Sequence, residues 1–147
     1  MLSAKKIFLY VLYALVAVFV IIQFIPVERA NPPVLGEPVW DSPRTRAYAQ
    51  RACFDCHSNQ TTWPGYSYVA PISWLLTGHV SEGRREMNFS EWRKKYKSEE
   101  VVEEIEKGKM PLRSYLWLHP QARLSDKEKK EFIQGLEKTF QLSGNKQ

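Results

Sequence analysis

Sulfur is scarce in this chain: two cysteines in 147 residues exclude a disulfide-rich scaffold and any site built on four thiolates. Glycine and proline are also few, at 7 and 9, which excludes collagen-like and low-complexity architectures. No internal repeat is present, and no stretch shows sustained two-residue alternation. The 5 Trp, 7 Tyr and 7 Phe residues exclude wholesale disorder. What remains is one domain of ordinary size and an apolar N-terminus.

Residues 7–25 read IFLYVLYALVAVFVIIQFI, with no charge and a single amide, Gln23. As a helix rising about 1.5 Å per residue they reach about 28 Å, close to a hydrocarbon core of about 30 Å. The segment is therefore expected to be a transmembrane anchor. Lys5 and Lys6 precede it, which places residues 1–6 in the cytoplasm and the rest of the chain outside it. A cleaved signal peptide is the competing reading. Its apolar stretch is usually shorter, and a cut after Ala30 meets Glu28 where a small residue belongs.

Setting the two N-terminal lysines aside lowers the formal charge from +5 to +3, so the exported part is only mildly cationic. From Glu82 onward the charges alternate in sign, as solvated helix faces do, and no nucleic-acid motif accompanies them. Nucleic acid is not an expected partner.

Residues 26–41 hold four prolines and one glycine and read as an extended linker, with Trp40 able to dock on the domain at 42–147. That domain is expected to be all-α. Ser42-Pro43 opens a helix to about Cys53. Pro71 opens a second, with Ile72, Leu75, Leu76, His79 and Val80 on an apolar stripe. Ser90 and Ser98 are expected to cap two shorter helices, the latter ending at Gly108. Ser125 and Glu128 form a capping box ahead of Phe132, Ile133, Leu136 and Phe140. Short helices on long irregular segments bury little of one another, so a bound group is expected to fill the middle.

The string that carries chemistry is Cys53-Phe54-Asp55-Cys56-His57, a C-x-x-C-H at the end of the first expected domain helix. Two thiols three residues apart project from one helical turn and can form thioethers with the two vinyl groups of a haem, and the following histidine stands under the iron. The expected cofactor is one covalent haem c, with His57 the proximal ligand. A redox dithiol or disulfide competes, but no strand–helix unit of the thioredoxin kind is found. A zinc site from Cys53, Cys56, His79 and His119 also competes, though its histidines stand forty residues apart.

Met110, Met87, His79 and His119 are candidates for the second axial position. Met110 is preferred, because Gly108-Lys109-Met110-Pro111 presents its thioether from a loop between a helix-ending glycine and a proline. A His/Met pair is what electron-transfer cytochromes c use. Met87 lies in a charged run and reads as an ordinary helix residue. Haem propionates need donors, for which Trp63, Tyr66, Tyr68, Arg84 and Arg85 are the local candidates. His57 is expected to donate its other ring proton to a backbone carbonyl in the Pro64 to Pro71 stretch. Asn59-Gln60-Thr61 and Asn88-Phe89-Ser90 match the glycosylation pattern and are read as accidental.

The motifs C-F-D-C-H-S-N-Q-T-T-W-P at 53–64, Y-S-Y-V-A-P-I-S-W at 66–74, H-V-S-E-G-R-R at 79–85, N-F-S-E-W at 88–92, K-M-P at 109–111 and Y-L-W-L-H-P-Q-A-R-L-S at 115–125 resemble the haem-binding domain family of bacterial, membrane-anchored, c-type cytochrome-like proteins. The resemblance runs from about residue 42 to 140. It implies covalent haem on Cys53 and Cys56 with His57 proximal, and a small helical fold similar to cytochrome c behind a single N-terminal transmembrane helix. It implies no particular partner.

The expectation is a monohaem electron carrier, not an enzyme. It is held at the bacterial inner membrane with its haem domain in the periplasm, and it serves redox proteins in or near that membrane. A haem-based sensor with an open or weakly held sixth position is the alternative. A haem-delivery factor is a third class, disfavoured because covalently held haem is hard to pass on.

Overall fold

The computed structural model describes residues 3–93 and 96–144. The protein is 62% helix, and no strand occurs among the described residues, so the all-α expectation holds. The chain divides into two compact units, Met1–Arg29 with Trp63–His79, and Ala30–Thr62 with Val80–Gln147.

The smaller unit begins with α1, Ala4–Ile22, in which no residue is buried. The helix starts and ends three residues earlier than the apolar run suggests, so Lys5 and Lys6 lie within its first turn. At its C-terminal end the Gln23 amide works three times: Nε2 donates to the Phe19 carbonyl at 2.8 Å and to the Ala70 carbonyl at 3.2 Å, and Oε1 accepts the Ala70 N–H at 2.9 Å. The unit also holds a 3-10 turn at Gly65–Tyr68 and the first half of α4, Ile72–Glu86. The expected stripe on α4 is only partly buried. Val80 is buried, whereas Ile72 and Leu75 are exposed, so one end of the helix keeps its apolar face open.

The larger unit contains α2 (Pro43–Ala52), α3 (Phe54–His57), α5 (Ser98–Glu106), α6 (Arg113–Leu118) and α7 (Asp126–Leu142). Ser42 caps α2 by accepting the Thr45 N–H, with proline in the first turn, and the capping box of Ser125 and Glu128 starts α7. Both starts are as expected from sequence. Helix α5 ends at Glu106, and Gly108, just past its cap at Lys107, has a φ of +65°, the left-handed conformation that glycine adopts without strain. Among the described residues no helix starts at Ser90; its side chain is fully buried and accepts the Asn59 N–H at 2.9 Å instead.

Helix α7 packs on α2 and α5 through Phe132, Leu136 and Phe140, which join Ala49, Phe54, Met87, Phe89, Tyr96 and Ile105 in one buried cluster. The rings of Trp40, Phe54, Phe89 and Trp92 continue it at centroid separations between 5.3 and 6.3 Å, the range in which aromatic pairs attract. This unit therefore has an apolar core of its own.

The proline-rich strap is not loose from Ala30 onward. The Leu35 and Gly36 N–H groups donate to the Ser90 carbonyl, and the Gly36 carbonyl accepts the Trp92 N–H. Glu37 receives a two-pronged pair of bonds from Arg46, at 2.7 and 2.8 Å, and one from the Trp40 indole at 2.7 Å. These bonds hold the Glu37 carboxyl below its ordinary pKa, chiefly through Arg46.

Candidate functional site

The C-x-x-C-H string lies across a break in the helix. Helix α2 ends at Ala52, Cys53 turns the chain with φ −126° and ψ −34°, and α3 carries Phe54 to His57. The Cys53 carbonyl accepts the N–H groups of both Cys56 and His57, at 3.1 and 2.8 Å, so the two cysteines and the histidine are set on one turn. The residues between the cysteines fix that turn from opposite sides. Phe54 is buried in the aromatic core, while the Asp55 carboxylate accepts the Thr62 N–H at 2.9 Å and the Tyr115 hydroxyl at 2.7 Å.

Both cysteines are free thiols. Burial pushes Cys53 up to about 12, and burial followed by the Asp55 charge pushes Cys56 up to about 11. Both are therefore protonated at neutral pH, which makes them poor metal ligands and slow to oxidise in this state. Among the described residues no group of three or more His, Cys, Asp and Glu side chains is placed to hold a metal ion. The zinc reading loses its geometric basis.

His57 is clasped twice by the segment after α4. Its Nδ1 lies 3.0 Å from the Met87 carbonyl oxygen, and its own carbonyl accepts the Phe89 N–H at 2.8 Å. A carbonyl only accepts, so the proton sits on Nδ1 and the lone pair is left on Nε2. Burial lowers the His57 pKa and keeps the ring neutral. The acceptor is thus Met87, which corrects the expectation of a carbonyl between Pro64 and Pro71. Met87 itself is buried in the core and not on a charged helix face. Its carbonyl is available because α4 has just ended at Glu86.

Gly83 permits this arrangement. A Cβ there would stand 2.5 Å from the Cys56 carbonyl oxygen, closer than any side chain tolerates, so only glycine lets α4 lie against α3 at this depth. Sequence reasoning passed over Gly83, Asp55, the Met87 carbonyl as the acceptor for His57, and Tyr115. A glycine in the interior of an otherwise regular helix was the one available signal.

The polar segment after His57 is structural. Ser58 donates to the Phe54 carbonyl, Thr61 to the Asp55 carbonyl, and Asn59 to the Pro33 carbonyl and Glu91. Arg84 is spent on this segment and on the strap: Nε donates to the Ser58 carbonyl, Nη1 to the Ala30 carbonyl, and Nη2 to Asn31 and Thr61, at 2.8 to 2.9 Å. Arg85 is exposed and pairs with Glu82 and Glu86. Asn59 and Asn88 are buried and bonded to each other, a position no glycan reaches.

In the smaller unit, Tyr66 is half-buried, and Tyr68 is exposed beneath the Arg29 guanidinium, 4.3 Å from the ring centroid. The indole N–H groups of Trp63 and Trp74 are buried without an acceptor among the described residues, as donors awaiting an anionic group would be. Met110 stands on the loop after α5, about one-third exposed, its N–H on the Glu104 carbonyl. It does not fill the core. Five residues on, Tyr115 ties this stretch to Asp55 of the cysteine motif. The His119 ring stacks on Tyr115 at 4.0 Å and its Nδ1 lies 3.0 Å from the Tyr115 carbonyl. His79 belongs to the smaller unit, half-buried on α4.

A helical domain that sets two free thiols and an oriented neutral histidine on one turn has the donor set of a haem-binding protein, and the residues fit that group. The model of the haem-binding domain family matches residues 17–138, and the chain belongs to that family. No curated protein and no solved structure matches it.

Proposed function

We propose that this protein is a membrane-anchored monohaem c-type cytochrome that passes single electrons between redox partners and is not an enzyme. The observation that supports it most directly is His57. Its Nδ1 proton is committed to the Met87 carbonyl, so Nε2 carries the lone pair, immediately after a pair of unoxidised thiols. Cys53 and Cys56 would each add S–H across a vinyl double bond, sulfur to one carbon and hydrogen to the other, with nothing oxidised and nothing released. A bound haem c supplies reversible one-electron chemistry at its iron.

Met110 is the proposed second axial ligand. Its thioether is offered from a loop, and Tyr115 holds that stretch to the cysteine motif. The Nδ1 bond of His57 makes Nε2 a stronger and better aimed donor. Trp63, with its acceptorless indole N–H, is the favoured donor to a propionate among the candidates, whereas the bonds of Arg84 to four backbone and side-chain oxygens favour a bracing role.

Helix α1 is long and apolar enough to cross a membrane, and a helix of nineteen residues in which only Lys5 and Lys6 are charged and none is buried is costly in water. The proposed setting is the bacterial inner membrane, crossed once, with Lys5 and Lys6 inside and the haem domain in the periplasm. Redox proteins in or near that membrane are the proposed partners.

The test is an optical spectrum of membranes from a host that matures c-type haem, oxidised and reduced, with carbon monoxide added to the reduced sample. A six-coordinate ferrous spectrum that resists carbon monoxide is expected. Fast carbon monoxide binding transfers the reading to a sensor, and absence of a haem spectrum overturns it.

A further inference from the structure

The apolar face that α4 leaves open adjoins the end of the anchor. Gln23, one residue past α1, holds both the N–H and the carbonyl of Ala70, so the chain around Ala70 sits level with the C-terminal end of that helix. On either side of Ala70, Tyr68 is 60% exposed, Val69 41%, Ile72 46% and Leu75 59%. Ile72 and Leu75 are one helical turn apart and share a face. Four large apolar or amphipathic side chains exposed together on a short segment mark a surface that is covered in use.

We propose that residues 66–76 lie in the headgroup layer of the same bilayer that α1 crosses, with Val69, Ile72 and Leu75 turned into the upper acyl region. This rests on the anchor reading above. A nineteen-residue helix rises about 28 Å and so ends near the boundary of a hydrocarbon core about 30 Å thick, and the bonds to Gln23 bring Ala70 to that boundary. Interfacial segments bury their apolar side about 5–10 Å into the headgroup and acyl boundary, a depth within reach of side chains on the next turn.

The polar groups agree with this placement. The Arg29 guanidinium lies over the Tyr68 ring and donates to the Ser67 carbonyl at 3.4 Å, which puts a cation and a tyrosine at the level of lipid phosphates, where both are favoured. Buried Ser73 stands on α4 between exposed Ile72 and Leu75, so the open face is one-sided, as an interfacial helix requires. The lipid surface is thereby a second, parallel contact that fixes this unit against the bilayer instead of leaving it hanging from a single helix.

The test uses the full chain in phosphatidylcholine vesicles that contain a phospholipid with a photoreactive diazirine near the glycerol end of its acyl chain. Adducts are mapped by mass spectrometry after illumination. Adducts are expected in 7–25 and in 68–76, with those in 126–142 at least fivefold rarer. The double variant Ile72→Asp, Leu75→Asp should lose most of the adducts in 68–76 and keep those in 7–25. Labelling of 7–25 with 68–76 no higher than 126–142 overturns the proposal and leaves the anchor standing. Absence of adducts from 7–25 overturns the anchor reading, and the proposal with it.

Discussion

His57 Nδ1 stands 3.0 Å from the carbonyl oxygen of Met87, so the tautomer of the histidine is set by a backbone atom that no side-chain substitution can remove. The lever on this contact is the approach of α4 to α3, and Gly83 controls that approach.

Gly83→Ala is expected to destabilise the domain by about 1–3 kcal/mol, because the new methyl meets the Cys56 backbone and not a movable side chain. The helix-propensity gain of about 1 kcal/mol from replacing glycine offsets only part of this. Urea unfolding of the purified protein checks it, and a midpoint at or above wild type would mean that the two helices part without cost. The same variant should lower the yield of attached haem, since the turn that carries the thiols is displaced.

Replacing Cys53 and Cys56 together by Ala should abolish haem retention after denaturation. A haem stain that survives in the denatured double variant refutes covalent attachment. Each single variant should keep a weaker stain, because one thioether still holds the group.

Met110→Ala and Met87→Ala should separate cleanly. The first removes a side chain from a partly exposed loop, so stability is expected to change by less than about 0.5 kcal/mol. The ferrous protein should then bind carbon monoxide and show a lower reduction potential. The second removes a buried side chain from the aromatic core and is expected to cost about 2–5 kcal/mol, with the axial ligation kept in the fraction that folds. An unchanged spectrum for Met110→Ala moves the ligand role to His79 or His119.

Acid should weaken the start of α7. The Glu128 carboxyl is held down to about 2 from an ordinary 4.5, first by the Ser125 backbone N–H and then by Arg51. A depressed carboxylate stabilises the fold above its unfolded pKa, and that contribution is lost as pH falls from 4.5 toward 2. The urea midpoint of wild type should therefore drop more steeply across this window than that of Glu128→Gln. Equal slopes would show that the capping box does not hold the charge.

Much of the helical framework was legible from local chemistry. The Ser42-Pro43 start, the capping box at Ser125 and the stop at Gly108 each depend on residues within one turn of the feature they create. Ser90 misled because a cap and a buried acceptor use the same hydroxyl, and only the position of Asn59 decides between them. Ile72 and Leu75 misled in a similar way: periodicity identifies an apolar face but not what covers it.

The sequence by itself determined the thiol spacing, the histidine that follows, the apolar N-terminal run and the starts of α2 and α7, because each is a property of neighbours along the chain. The tertiary structure decided which carbonyl orients His57, why residue 83 is glycine, and that Arg84 and the segment after His57 brace the site. The contacts of His57, Gly83 and Arg84 join residues more than twenty positions apart, and geometry over such distances is set by how the helices pack and not by the composition of any one of them.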